Sequence, residues 1–335
     1  MRQRPEVAVA MDWGGTWVRV AVVDRPGDIL WRSQVRNAAD ADRAQLLNAS
    51  QALLREAIGW RQDQPVAGIG IALAGPVDAE TGILYGSPHL SALNGVCLKA
   101  LWEPVLGHHI LVGNDANLAA LGEFHYGAGR AIPGRGNPPR TLVYLTVSTG
   151  IGGGVVSGGE LFLGAHGLAA EIGHMVIDRS AGAPQCQCGN RGCLEALASG
   201  TAIAGTARRR VANEASLIPS LVRAGSEEIT AEMVVDAAAQ GDALARSILE
   251  DAVQALAVGL ANVLHLFNPD LVVLGGGVTE GLKTLELLPR IHSLMLSRVM
   301  SQRYQEFSLV CSQLGDAAGL VGAAAQVWKG LGTLP

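Results

Sequence analysis

Cys186-Gln187-Cys188-Gly189-Asn190-Arg191-Gly192-Cys193-Leu194-Glu195, preceded by Glu171-Ile172-Gly173-His174, is the stretch on which the reading of this chain turns. Three of the five cysteines fall within eight positions, with one histidine upstream. Thiolate and imidazole are the ligands Zn²⁺ prefers, and His174, Cys186, Cys188 and Cys193 would close a tetrahedral structural site. Gly189 and Gly192 allow the tight turns that let the cysteines face one ion. Three cysteines cannot all pair as disulfides, and Cys186 and Cys188 are too close in sequence to bridge comfortably. Free cysteines are often simply buried, but three around two glycines in a polar loop make a poor core pattern. Glu171 and Glu195 bracket the cluster and are not needed to fill it, which points to something bound beside the metal.

The 335 residues are enough for two domains with substantial cores. Hydrophobic residues make up 49% and charged ones 16%, the balance of a well-buried globular chain. A net charge of −5 gives no reason to expect nucleic acid or an anionic membrane as partner. The apolar run 7–11 is short and ends at Asp12, unlike a secretory signal. The most apolar later stretch, 252–267, carries Gln254, Asn262 and His265, is shorter than a membrane span, and reads as a buried core helix. A cytoplasmic location, where thiols stay reduced, is the expectation.

Upstream of the knuckle, strands are predicted at 6–11, 18–23, 29–35, 66–73 and 110–112, and helices at 40–59, 98–106 and 116–126. Asp40 or Asp42 can cap the helix that Gly59 ends. The first two strands meet at Asp12-Trp13-Gly14-Gly15-Thr16, a tip able to present backbone N–H groups to phosphate; an ordinary Gly-Gly hairpin would read the same way. The strand at 110–112 delivers Asn114 and Asp115 at its carboxyl end, where open α/β sheets bind ligands. A plain helix N-cap would account for Asp115 equally well. Residues 128–140, rich in Gly, Pro and Arg, read as a surface loop or an interdomain connection, and a strand predicted at 141–147 leads into Ser148-Thr149-Gly150-Ile151-Gly152-Gly153-Gly154 before Val155 and Val156 resume. The unit of strand, glycine-and-hydroxyl tip and strand therefore occurs twice. Downstream, helices are predicted at 198–213, 231–240, 242–267 and 317–328, and strands at 271–274 and 307–310. Gly275-Gly276-Gly277 follows the first of those strands directly, again allowing close backbone approach to a ligand.

Taken together, these motifs resemble the ROK family (repressor, open reading frame, kinase) of sugar kinases and sugar-responsive regulators. The resemblance spans nearly the whole chain and rests most specifically on Glu-x-Gly-His followed by Cys-x-Cys-Gly-x-x-Gly-Cys-x-Glu. It implies an α/β, two-lobed fold of the actin and hexokinase type (ribonuclease H-like), with a small lobe of residues 1–115 plus 312–335 and a larger one of 116–311. It implies ATP as donor, Mg²⁺ and a structural Zn²⁺. Asp115 would be the catalytic base. Gly75, Asn114, Glu171, His174 and Glu195 would line the sugar site. Asp12, Gly14, Gly15, Thr16, Thr149, Gly150, Gly152, Gly276 and Gly277 would serve the nucleotide, with Asp12 near Mg²⁺ through water. The implied activity is phosphorylation of a hexose, first glucose to glucose 6-phosphate. The alternatives are an N-acetylhexosamine kinase and a non-catalytic sugar-binding or regulatory protein. Regulators of this family carry a winged helix before the first strand, and this chain enters that strand within its first dozen residues. A homodimer or homotetramer is the implied assembly. The chain departs from the family pattern at Trp17, and in the loop around His89 and Leu93, which bears on the choice of hexose.

Overall fold

The computed structural model describes residues 6–37, 41–61, 64–78, 80–87, 90–222 and 228–334. The predicted alternative cap at Asp40 and the departure at His89 lie outside these residues. Two units emerge: residues 1–144, 154–170 and 312–335 form the first, and 145–153 with 171–311 form the second.

In the first unit, β1 (Val7–Trp13), β2 (Trp17–Asp24), β3 (Ile29–Arg36), α1 (Arg43–Gly59), β4 (Val66–Leu73), the small hairpin β5 (Val77–Asp78) and β6 (Ile83–Leu84), α2 (Leu98–Leu106), β7 (Ile110–Asn114) and α3 (Asp115–Tyr126) follow one another. Five of the strands form one sheet in the order β3-β2-β1-β4-β7. β1 is antiparallel to β2 and parallel to β4, and β4 is parallel to β7. β1 is apolar along almost its whole length because both faces of its sheet are covered. Its alternate side chains go to two different cores. Val7, Val9, Met11 and Trp13 join the bulky cluster with Leu54 of α1 and Trp102 of α2. Ala8 and Ala10 join Ala21 and Ala72 in a small-residue face. That face admits a helix at very short range. A Cβ on Gly70 would lie 2.0 Å from the carbonyl oxygen of Ala323 in the last helix (Ala318–Gly330), so only glycine fits there. The same helix packs on α3 through Leu320, Ala324 and Leu118. Glu123 of α3 is fully buried; it accepts hydrogen bonds from Ser312 Oγ, from Leu314 N–H at 2.9 Å and from Ala128 N–H at 2.8 Å. It thereby ties the 312–314 segment to α3.

The division between the units passes through β8 (Thr141–Val147) and β9 (Ile151–Ser157); β10 (Glu160–Leu161) follows. The second unit continues with α4 (Leu194–Ala198), α5 (Gly200–Arg210), α6 (Ala231–Ala239), α7 (Ala243–Phe267), β11 (Leu271–Gly275), α8 (Gly277–Thr284), α9 (Leu288–Leu296) and β12 (Ser308–Cys311); the closing helix is α10. The second sheet runs β10-β9-β8-β11-β12. Two predicted boundaries shift for local reasons. The helix expected over 198–213 starts at Gly200 instead, because the Ser199 side chain accepts from Ala202 N–H at 3.1 Å and caps it there, and it ends at Arg210. The glycine run begins inside β9, so Gly152, Gly153 and Gly154 are strand residues and the turn is Ser148–Gly150. α7, at 25 residues, is long and apolar enough to cross a membrane, but Leu249, Val253, Leu256, Leu260 and Leu264 along it are buried within the protein. It is a core helix, as its sequence suggested.

Candidate functional site

The first unit gathers its predicted residues at strand ends. Asp12 near the end of β1 sits opposite Arg19 of β2, with Oδ2 3.3 Å from the guanidinium Nη1. Burial pushes the Asp12 carboxyl above the usual carboxylate range; Arg19 opposes this and the charge of Asp316 adds to it. Mg²⁺ keeps several waters and needs only one or two carboxylates beside the phosphates. The Asp12 carboxylate fits a water-mediated contact. Beyond Asp12 the chain turns through Gly14–Thr16, closed by Gly14 N–H to the Trp17 carbonyl at 3.0 Å. The Gly14 and Gly15 carbonyls accept from the Asn37 side chain at 2.8 and 3.0 Å, a residue the motifs did not single out.

At the carboxyl end of β7, Asn114 is the N-cap of α3: its Oδ1 accepts from Asn117 N–H at 3.0 Å. Asp115 is therefore not the cap, and the capping explanation for it falls. Its Oδ1 accepts from the adjacent Ala116 N–H at 2.8 Å, and it occupies the first turn, where the helix dipole favours a negative charge. Asn114 also donates from Nδ2 to the Gly75 carbonyl at 3.1 Å, joining the loop after β4 to the start of α3. Leu93, in the loop expected on the sugar side, is buried in the bulky core. Its side chain supports that loop from beneath.

The second unit carries the knuckle. The ligand atoms of His174, Cys186, Cys188 and Cys193 lie within 4.8 Å of one another. Cys188 Sγ is 3.7 Å from Cys193 Sγ, and Cys186 Sγ is 3.7 Å from His174 Nδ1. A tetrahedron of Zn–S bonds has S–S edges of about 3.8 Å, so these donors already stand at metal-site spacing. Burial, with the hydrogen bonds its S–H donates to the other two cysteine sulfurs, pushes the Cys193 thiol up to about 12. A bound cation would offset the cost of ionising thiols held this close. The donor set and its spacing fit zinc.

Glu195 and Glu171 occupy distinct places beside the knuckle. Glu195 Oε2 accepts from Ile151 N–H at 2.8 Å, and its Oε1 lies 3.8 Å from Cys186 Sγ. One carboxylate thus links the knuckle to the start of β9. A Cβ on Gly150 would come within 2.5 Å of Glu195 Oε2, so a side chain there would displace this carboxylate. The Thr149 carbonyl is held by Thr201, through its N–H at 3.2 Å and its hydroxyl at 2.9 Å, another partner that no motif revealed. Glu171 is exposed as a residue, yet desolvation by the surrounding chain raises its pKa, with His174 opposing and Glu195 adding. Ala170, immediately before it, has φ of 67°, in the left-handed region. Gly276 caps α8 directly after β11, and Gly277 is its first residue.

The family model described as "ROK family" matches residues 8–329. A glucokinase of Thermotoga maritima is 33% identical over 324 residues, 97% of this chain and 98% of its own length. A putative xylose repressor of a Caldicellulosiruptor species is 31% identical, over 95% of this chain and 77% of its own length. Among solved structures, a ROK family glucokinase of Streptomyces griseus, in complex with glucose and AMPPNP, aligns with a TM-score of 0.80 at 30% identity, over 96% of this chain and 98% of its own.

Proposed function

This chain belongs to the ROK family, and from that premise we propose that it transfers the γ-phosphoryl group of ATP to a hydroxyl of a hexose, glucose first. The observation that carries the proposal is Asp115, which stands at the carboxyl end of a parallel strand while Asn114 takes the capping role. The similarity to glucokinases, one of them solved with glucose and an ATP analogue, supports it.

In this reading Asp115 is the general base. A sugar CH₂OH is a weak nucleophile, and a carboxylate within hydrogen-bond reach accepts its proton as the oxygen attacks the γ-phosphorus. The new O–P bond forms as the bond from the γ-phosphorus to the β–γ bridging oxygen breaks, and ADP leaves. Mg²⁺ would neutralise charge on the phosphates, with Asp12 oriented toward its waters. The backbone N–H groups of Gly14, Gly15 and Thr16, and of Thr149 and Gly150, would bind phosphate oxygens; Gly276 and Gly277 would lie against adenosine. Glu171 and Glu195 would accept hydrogen bonds from sugar hydroxyls, and His174 would donate one from the ring nitrogen that zinc leaves protonated; Gly75 and Asn114 would serve the sugar as well. Zinc held by His174, Cys186, Cys188 and Cys193 would fix the imidazole of His174 in one orientation. Gly152, inside β9, would serve the nucleotide by allowing close approach.

The test is a coupled ADP-release assay over glucose, mannose, fructose, allose and the N-acetylated hexosamines. Turnover of glucose supports the proposal, and preferential turnover of an N-acetylhexosamine would move the substrate assignment. Asp115→Asn should lower kcat on the order of 10²-fold or more while sugar binding persists; unchanged turnover would remove Asp115 from the mechanism. The repressor relative gives a second reading its support: sugar binding without turnover of any hexose would favour it.

A further inference from the structure

We infer that Asn37, immediately after β3, is the positioning residue that aims the Gly14–Thr16 tip at phosphate. This rests on the kinase reading above. Asn37 holds three successive carbonyls of the turn. Its Nδ2 donates to Gly14 at 2.8 Å and to Gly15 at 3.0 Å, and its backbone N–H donates to Thr16 at 2.9 Å. In a trans peptide the C=O and the following N–H point to opposite sides of the chain, and no cis peptide occurs among the described residues. Drawing the Gly14 and Gly15 carbonyls to one side therefore turns the N–H groups of Gly15 and Thr16 to the other. Both residues are exposed, and among the described residues neither N–H has a hydrogen-bond acceptor. Adjacent N–H groups presented together form an anion-binding concavity.

Glycine makes this dependence on Asn37 necessary. The two-glycine tip has a wide choice of backbone conformations, and the hairpin bond from Gly14 N–H to Trp17 closes the turn without setting the two peptides inside it. An asparagine amide supplies two donors, and here one nitrogen reaches two carbonyls. Asn37 touches neither phosphate nor sugar in this account. It acts through the tip alone.

The experiment compares Asn37→Ala with wild type in steady-state kinetics and in binding of ATP and of adenosine. Loss of aim at the tip should raise the KM for ATP and weaken ATP binding about tenfold, the size of one hydrogen bond to a charged group. The KM for the sugar and the affinity for adenosine should stay within twofold of wild type, an outcome that general structural damage would not produce. If Asn37→Ala does not fold, as judged by circular dichroism melting, Asn37→Ser reads the same loss with a polar side chain too short to span both carbonyls. An active wild type together with a variant whose ATP affinity is unchanged would overturn the role of Asn37 and leave the kinase reading standing. A folded wild type that turns over no hexose would overturn the kinase reading itself.

Discussion

Glu123 offers the sharpest test of how α3, and with it Asp115, is held. Its carboxylate is fully buried and takes three donors: Ser312 Oγ and Leu314 N–H on Oε1, and Ala128 N–H on Oε2. Glu123→Gln keeps the shape and replaces one oxygen by an NH₂ group. The amide oxygen would take the side with two donors, leaving its NH₂ facing the N–H of Ala128, itself buried. That loses a hydrogen bond to a charged group, worth about 1.5–3 kcal/mol, and strands a buried donor at a further cost of about 1–3 kcal/mol. Replacing the charge relieves part of its desolvation, so a net loss of about 2–4 kcal/mol is expected. Glu123→Ala should exceed this, since it strands all three donors and opens a cavity. Against a typical domain stability of about 5–15 kcal/mol, either change is large. Urea unfolding followed by fluorescence of the buried Trp13, Trp102 and Trp328 would measure it. The KM for sugar and ATP should hold, because Glu123 lies eight residues along α3 from Asp115. A Glu123→Gln protein within about 0.5 kcal/mol of wild type, the range of ordinary surface substitutions, would refute the reasoning.

Three further outcomes follow from the geometry. Cys188→Ser should abolish stoichiometric zinc and weaken sugar binding, because the knuckle places His174 and Glu195; metal analysis that finds no zinc in the wild type would end the zinc assignment. Asp242 caps α7, accepting from Ala245 N–H at 2.7 Å and from Leu217 N–H at 2.6 Å. Burial works to raise its pKa, but these bonds together bring it below the ordinary value of 3.8. Its stabilisation is then fully present above that ordinary value and is lost as pH falls through the lowered native one. Asp242→Asn should therefore cost about 1.5–3 kcal/mol at pH 7, with the gap to wild type closing in urea titrations on acidification toward pH 2; a constant gap would refute it. Ala170→Gly should relieve a left-handed alanine, which costs about 1–2 kcal/mol, and leave a net gain of up to about 1 kcal/mol in the same unfolding assay. A loss of stability would mean that the φ of Ala170 is not strained.

What was legible in the sequence followed the strength of its local signals. β1 could be read from its apolar run, and the knuckle from four ligand residues whose chemistry leaves few other uses. The limits of the reading are equally physical. Asn114 and Asp115 are both good capping residues, and sequence spacing could not assign the cap; the hydrogen bond from Asn117 N–H did. The glycines at 152–154 looked like a tip because glycine marks both turns and close packing. In the fold they lie in β9, where a Cβ on Gly154 would stand 2.6 Å from the Ala116 carbonyl oxygen. Asn37, Thr201 and Glu123 were not legible at all, since each sits in no motif and has at least one partner distant in sequence. The clearest case is Glu195, singled out as a spare acid beside a filled metal site. Its bond to Ile151 N–H shows that it is not spare: it joins the knuckle to the strand that follows the turn at Ser148–Gly150, with Gly150 leaving room for the carboxylate. The knuckle's effect on activity is therefore expected to run through the position of that turn as well as through the sugar. Glu195→Gln should accordingly disturb ATP and hexose kinetics together, whereas an acid acting on the sugar alone would leave the KM for ATP unmoved.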